Sequence, residues 1–184
     1  MFPHLPISAD QAQRDTVTWL ERAVIGLNLC PFAKAVHVKG QIRYVVYPQS
    51  DPQGLLDRLV VELKHLQASE PAALDTVLLI APNCLTDFLN FNDFLAKADR
   101  ALQKLGLEGK IQIASLHPGY QFADAAPDDI TNYTNRAPYP TLHLLREASV
   151  SRAVVAFPEA SDIYEKNMQT LRELGPEGWD ALKL

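Results

Sequence analysis

The sequence predicts an α/β fold: a single compact domain with a small, mainly parallel three-stranded sheet, flanked by helices and followed by a helical C-terminal third. The first observation behind this prediction is the alternation of segment types. Three segments typical of strands, residues 42–47, 76–81 and 110–115, are separated by helical patterns at a spacing of about thirty residues. This alternation is typical of βαβ crossovers, which make successive strands parallel. The second observation is length, because 184 residues are enough for one domain with a buried core.

The N-terminal region predicts a tail and a first helix. Residues 1–7 contain two prolines and are expected to form a loose tail, whereas residues 8–184 are expected to form the domain. Ser8, with Gln11 three residues later, fits a capping box at the start of a helix. Apolar residues then recur at helical spacing until Pro31 ends the pattern.

The two crossover helices have recognisable start and stop signals. Asp51 is a suitable N-cap and Pro52 a suitable first helical residue. The second crossover helix is expected to begin near Thr86 and to end at Gly106. The inward faces of both helices carry apolar residues at helical spacing: Leu55, Leu56, Leu59, Val60, Leu63 and Leu66 in the first, and Phe88, Phe91, Leu95, Ala98, Leu102 and Leu105 in the second.

The C-terminal third is predicted to be helical. Pro140 suits the first position of a short helix, on which residues 141–147 would separate leucines from polar side chains. Ser149 is expected to cap a further helix that reaches Phe157, and Ser161 a last one.

Composition excludes several classes of function. The formal net charge is −5 and no run of lysine or arginine occurs, so nucleic acid is not an expected partner. No apolar run approaches the roughly 18 residues that cross a bilayer, and the N-terminus lacks the pattern of a secretory signal. Cys30 and Cys84 form neither a disulfide nor a metal-binding spacing. No glycine-rich phosphate loop or paired-histidine motif is present. We therefore expect a cytoplasmic protein without a membrane partner or metal, and the sequence identifies no cofactor or oligomeric state.

The predicted topology indicates where a ligand site would lie. In an open parallel sheet, ligands bind in the crevice outside the carboxyl ends of the strands. This rule brings Asn83, His117 and Tyr120 together, because they follow the second and third predicted strands. Two helix N-termini, near Pro52 and Thr86, would direct free N–H groups toward the same crevice, which favours an anionic group.

The segment "TNYTNRAPYPTLHLLRE", residues 131–147, is well placed to fold over that crevice. Two X-Pro steps restrict the backbone on either side of Tyr139 and next to Arg136. An arginine can hold a carboxylate or a phosphate through two parallel hydrogen bonds. The residues of this segment that we expect at the site are Asn132, Asn135, Arg136, Tyr139 and His143. The alternative is that the segment is a chain turn followed by a solvated helix face.

These residues lead to three hypotheses about function. In the first, the protein binds an anionic small molecule at the strand ends and, if it is an enzyme, uses His117 as acid or base and Arg136 as the anion clamp. In the second, it is a thiol-dependent enzyme that uses Cys30 or Cys84 with His117 as the base. A thiol at a helix C-terminus, as predicted for Cys30, is however poorly placed to ionise. In the third, the polar segment docks a partner protein rather than a ligand.

Three strings taken together, "LNLCPFAKAVHVKGQIR", "SLHPGYQFAD" and "NRAPYPTLHLLREAS", resemble an uncharacterised, mainly bacterial family that is known only as a domain of unknown function. The likeness covers nearly the whole chain, from about residue 10 to about residue 176, and the combination of the strings is specific. The resemblance implies a compact, stand-alone bacterial domain. It implies no activity, cofactor or catalytic residue, so no role is carried over to any position of this chain.

Overall fold

The structure of the protein is a computed structural model that describes residues 6–156 and 162–184. The strands are β1 (Ile42–Val46), β2 (Thr76–Ile80), β3 (Ile111–Leu116) and β4 (Thr141–Arg146). In the described residues they form one sheet with the order β1-β2-β4-β3. β1 and β2 are parallel, and β4 runs antiparallel to both β2 and β3. β1, β2 and β3 therefore run in one direction, and their carboxyl ends lie at the same edge of the sheet.

Helices pack around this sheet. They are α1 (Ala9–Trp19), α2 (Ala33–Val38), α3 (Pro52–Ala68), α4 (Phe88–Lys104), α5 (Glu147–Ala156) and α6 (Ile163–Ala181). A six-residue π-helical turn, Leu20–Ile25, continues α1, and a 3₁₀ turn, Ile130–Thr134, precedes β4. α6 is kinked where Gly175 adopts a φ of 65° just before Pro176, because proline removes a helical hydrogen bond and glycine tolerates positive φ.

The predicted helix signals are confirmed for the first half of the chain. Ser8 caps α1 by accepting the backbone N–H of Gln11. Asp51 caps α3 in the same way, with proline in the first turn. α4 is capped by Asp87, next to the predicted start, and Gly106 follows its end with a φ of 65°. These signals are local in sequence, which is why the sequence alone is sufficient to read them.

The predicted three-stranded, mainly parallel sheet is wrong in strand number and in the direction of one member. Residues 141–146, predicted as a helix after Pro140, form β4 between β2 and β3, so the sheet is mixed. Leu142 and Leu144 point to one face of the sheet and are buried, and His143 points to the other. The closely spaced leucines fit a helix as well as a strand, and the strands that pair with β4 are distant in sequence.

The last helices differ from the prediction in their boundaries. α5 begins at Glu147, directly after β4, so Ser149 lies within it rather than at its cap. Phe157 and Ser161 lie outside the described residues, and α6 begins at Ile163.

Both faces of the sheet are covered by helices. On the α3/α4 face, α3 and α4 bury the larger apolar cluster, which includes Leu55, Leu63, Leu79, Phe91 and Leu144. On the opposite face, which we call the α1 face, α1 and the π turn pack over residues that include Ile42, Tyr44, Leu78 and Ile80.

Candidate functional site

At the carboxyl edge of the sheet, Asn83 holds three chain segments together. Its Oδ1 accepts the backbone N–H of Ile7 at 2.9 Å, and its Nδ2 donates to the carbonyls of Ile7 at 3.0 Å and Pro48 at 2.9 Å. Both amide hydrogens are therefore occupied. Ile7, which the sequence places in a loose tail, is tied to the loop after β2.

His117 lies just after β3 and is only 1% exposed. Its Nδ1 accepts the backbone N–H of Gly119 at 2.9 Å, so Nε2 carries the ring hydrogen and donates to the carbonyl of Leu85 at 3.1 Å. The ring packs against Phe88 and Phe91, with centroids 5.3 and 5.0 Å away. Burial lowers the pKa of His117. The residue is thus a neutral imidazole that joins two loops, and a role as acid or base stays a prediction that requires one of these bonds to open.

Arg136 is held mainly by backbone carbonyls. Its Nε donates to the carbonyl of Tyr120 at 2.9 Å, and one Nη donates to the carbonyl of Pro127 at 2.7 Å. The guanidinium carbon lies 4.7 Å from the centre of the Tyr133 ring. Nη1 makes no hydrogen bond within the part of the chain that the structure describes. One side of the guanidinium is therefore left to contact a ligand.

The two asparagines of the same segment differ in their surroundings. Asn132 is fully buried, and its side chain accepts the N–H of Phe122 at 2.9 Å and donates to the carbonyl of Ala126 at 2.8 Å. Asn135 accepts the N–H of His117 with its backbone carbonyl at 3.1 Å. The side-chain amide of Asn135 makes no hydrogen bond to the described residues. Asn132 thus shapes the loop, whereas Asn135 retains hydrogen-bonding capacity.

Tyr120 completes this cluster of loops. Its ring centroid lies 5.5 Å from that of Phe88 and 5.1 Å from that of Phe122. His117, Tyr120, Asn135 and Arg136 therefore lie together at the carboxyl edge. We call these four residues the strand-end cluster.

Tyr139 and His143, which the sequence assigns to the same site, lie on the α1 face instead. The Tyr139 hydroxyl donates to Asp15 of α1 at 2.6 Å, and burial together with this carboxylate raises the pKa of Tyr139 to about 12. The Nε2 of His143 lies 2.7 Å from the Thr76 hydroxyl, which itself donates to the carbonyl of Leu144. Nε2 therefore carries the hydrogen, and Nδ1 has no donor among the described residues. Burial lowers the pKa of His143 to about 4, although the residue keeps some exposed surface.

Neither cysteine is placed to form a thiolate. Cys84 is fully buried in the α3/α4 core, and burial raises its pKa to about 11. Cys30 was predicted at a helix C-terminus, and this placement is wrong: it precedes the short helix α2, where the backbone N–H groups of Phe32 and Ala33 lower its pKa. Burial outweighs these bonds, so the pKa of the Cys30 thiol is raised overall.

Four buried side-chain atoms have no hydrogen-bond partner among the described residues: Trp19 Nε1, the Tyr44 hydroxyl, Arg58 Nε and Thr134 Oγ1. Nearly all buried polar groups in native proteins are paired, so each exception requires an explanation. Trp19 and Tyr44 belong to a single apolar cluster on the α1 face, and Trp19 is only 4% exposed. Neither residue could be singled out from the sequence, because both fit ordinary helical and strand patterns.

This α1-face cluster combines apolar walls with two hydrogen-bond donors. Its members include Trp19, Leu20, Ala23, Val24, Ala33, Ala137, Cys30 and Tyr44. Trp19 is the last residue before the π turn, a rare conformation that is frequent at functional sites. Burial, together with Glu21, raises the pKa of Tyr44 to about 12, so its hydroxyl is protonated and can donate.

His143 lies in the same row of the sheet as Tyr44. Tyr44 pairs with Leu78 across β1 and β2, and Leu78 pairs with His143 across β2 and β4. The two side chains therefore share the α1 face, with their backbones two strand spacings, or about 10 Å, apart.

These features define a mixed α/β domain with a cluster of polar groups at the carboxyl edge and a second one under α1. Among the described residues, no helix is long and apolar enough to cross a membrane, and no three histidine, cysteine or carboxylate side chains converge in a way that could hold a metal.

Residues 11–181 match the model of a family described as "protein of unknown function (DUF1415)", and the chain belongs to this family. The resemblance to an uncharacterised domain-of-unknown-function family is thereby confirmed. Neither the curated proteins nor the solved structures contain a match to the chain.

Proposed function

We propose that the protein binds a small molecule in the α1-face cluster, between α1, the π turn and β1. The observation that carries this proposal is the pair of buried donors, Trp19 Nε1 and the Tyr44 hydroxyl, that lack partners in one apolar cluster. Leaving a buried polar group unpaired costs about 1–3 kcal/mol. Two such groups in one cluster are unfavourable unless a ligand atom or a buried water accepts their hydrogen bonds.

The chemistry of the cluster indicates the class of ligand. Both groups donate, so the ligand must present an acceptor such as a carbonyl oxygen. The walls are apolar, and the carboxylate of Glu21, which lies 3.1 Å from His37 Nε2, is close enough to Tyr44 to raise its pKa. A carboxylate close to the site disfavours a second anion. We therefore expect an uncharged, largely apolar carbonyl compound at this cluster.

Thermal unfolding in the presence of uncharged amides, ketones and lactones tests the proposal. A compound at one hundred times its Kd stabilises the folded state by about 2.7 kcal/mol, which raises Tm by roughly 5–10 °C for a chain of this size. Trp19→Phe and Tyr44→Phe each remove one donor and should weaken binding by about fivefold, the equivalent of one hydrogen bond. Tyr164→Phe, which removes a hydroxyl from a 48% exposed tyrosine, is the matched control.

The unliganded variants provide a second readout. Tyr44→Phe removes only an unpaired buried hydroxyl, so its free energy of unfolding should stay the same or rise. Trp19→Phe also removes ring volume from a site that is 4% exposed, and the cavity offsets the gain from losing the donor. Both variants binding the compounds as tightly as the wild type would contradict the proposal. So would a crystal structure in which ordered water satisfies both donors and no compound binds.

The strand-end cluster supports a second candidate, an anion site, because Arg136 Nη1 and the Asn135 amide are both unpaired and are adjacent in the chain. Arg136 also donates hydrogen bonds to two backbone carbonyls, so its replacement by alanine would disturb the loop as well as the site. Arg136→Lys keeps the charge and removes the planar fork. Stabilisation by citrate or inorganic phosphate that is lost in Arg136→Lys and retained in Arg152→Gln would favour this site, and equal stabilisation of both variants would exclude it.

A further inference from the structure

The outer side of β1 is an unpaired strand edge. The N–H of Tyr47 donates to the carbonyl of Ile80 at 2.8 Å. The backbone N–H and C=O groups of Tyr47 and of every second residue before it therefore point toward β2. Tyr44 and Val46 therefore direct their N–H and C=O groups away from the sheet. These groups make no hydrogen bond to any other described residue.

A groove of about 440 Å³ lies at the carboxyl end of this edge, between Val46 with the three residues that follow it and α3. Val46 and Val61 supply apolar surface, and Val61 is 54% exposed. Gln49, Asp57 and Arg58 supply polar groups along the same groove. The groove thus combines unpaired backbone with both apolar and charged side chains.

Two arginines lie at the groove: Arg58 lines it, and Arg43 of β1 is held next to it by Glu62 of α3. Glu62 is 1% exposed and accepts Arg43 Nε at 3.0 Å and an Nη of Arg58 at 2.8 Å. The two arginine side chains are 42% and 41% exposed. Both Nη atoms of Arg43 and Nη1 of Arg58 have no partner among the described residues, whereas Asp57 already accepts a bond from Gln53.

We infer that this edge docks an extended acidic segment of a partner protein, which adds to the sheet as a strand beside β1. The backbone of the segment would pair with Tyr44 and Val46, and a carboxylate would reach Arg43 or Arg58. Natural edge strands are commonly protected by a charged side chain that projects along the edge. Arg43 does not protect β1 in this way, because its bond to Glu62 holds it against α3.

The test uses a fluorescein-labelled decapeptide of alternating glutamate and valine, with binding followed by fluorescence polarisation. We expect saturable binding that weakens at least fivefold in Arg58→Gln and in Arg43→Gln, whereas Arg152→Gln, on α5, should bind as the wild type does. The same peptide N-methylated at every residue should not bind, because neither of its edges then carries the N–H donors that pair with a strand. This second probe leaves the protein unaltered and stays informative if an arginine variant folds poorly.

Three outcomes would overturn the inference. The first is equal binding of the methylated peptide, or of a lysine–valine peptide, because neither strand pairing nor charge would then contribute. The second is no binding of the glutamate–valine peptide at any concentration that keeps it soluble. The third is sedimentation of the chain as a dimer that Arg58→Gln dissociates, since the edge would then serve a second copy of the chain.

Discussion

Acidification should destabilise this protein through His143, and the effect can be calculated. Burial lowers the pKa of His143 from 6.5 to about 4 in the folded chain. In the unfolded chain the imidazole is solvated and takes up a proton near pH 6.5. Between these two values the unfolded state binds one more proton than the folded state, so a fall in pH favours unfolding.

The sign and size of the effect follow from the two pKa values of His143. The contribution of His143 to the free energy of unfolding is complete above about pH 6.5. It is lost as the pH falls toward 4, at about 1.4 kcal/mol for each pH unit. At pH 4.5 the loss relative to pH 7 amounts to about 2.5 kcal/mol. The pKa of His117 is shifted in the same direction by burial, so the wild-type protein carries both effects.

His143→Gln isolates the contribution of His143. Glutamine does not titrate, and its amide can still donate to the Thr76 hydroxyl. Urea unfolding followed by circular dichroism at pH 7.0 and 4.5 gives the free energy of unfolding of each protein. The wild type should lose about 2.5 kcal/mol more than His143→Gln between these pH values. His65→Gln, which replaces an exposed histidine on α3, is the control for loss of an imidazole.

Equal pH dependence of the wild type and His143→Gln, within about 0.5 kcal/mol, would refute the reasoning. It would mean that His143 is solvated in the folded protein, and that its Nδ1 is not an interior acceptor on the α1 face. A direct check is the titration of the His143 ring proton by NMR, with a midpoint expected near pH 4.

Three further predictions concern the loops and the thiols. His117→Ala should destabilise the fold by about 3–5 kcal/mol, because it opens a cavity and leaves two backbone groups unpaired; a loss below 1 kcal/mol in chemical denaturation would argue against the hydrogen bonds described. Asn132→Ala should cost about 2–4 kcal/mol for the same reason, and hydrogen exchange should rise first at Phe122; unchanged protection there would contradict the assignment. Cys30 and Cys84 should react with a disulfide reagent at pH 7 only after unfolding, because burial raises the pKa of both thiols. Rapid reaction of either thiol in the native protein would revive the thiol hypothesis.

The parts of the fold that could be predicted are those with local causes. Asp51 and Pro52 start α3 through contacts within one helical turn. β2 could be predicted as a buried strand, because all five of its residues are apolar or β-branched. β4 could not be predicted, because the spacing of Leu142, Leu144 and Leu145 fits a helix as well as a strand. Only pairing with strands that are distant in sequence decides between the two. The mixed sheet nevertheless keeps the expected common edge, since β4 is the member that runs the other way.

The strand-end cluster was predictable in position more than in chemistry. The topological rule that concerns strand ends applies to His117 and Arg136, which lie in neighbouring loops. Their partners are mostly backbone carbonyl and N–H groups, and no residue type in the sequence reveals where those groups will point. Trp19 and Tyr44 were missed for a related reason, because an unpaired hydrogen-bonding group becomes visible only when every neighbouring atom is placed.

The central claim, that the α1-face cluster binds a carbonyl compound, is tested most directly at the indole N–H of Trp19. The chain contains two tryptophans, so a ¹⁵N-labelled sample should show two indole signals, and Trp179→Phe assigns the one that belongs to Trp19. On addition of a stabilising carbonyl compound, we expect the Trp19 indole proton to move downfield as it donates to the ligand. A compound that stabilises the protein while the Trp19 signal stays unchanged would contradict the claim.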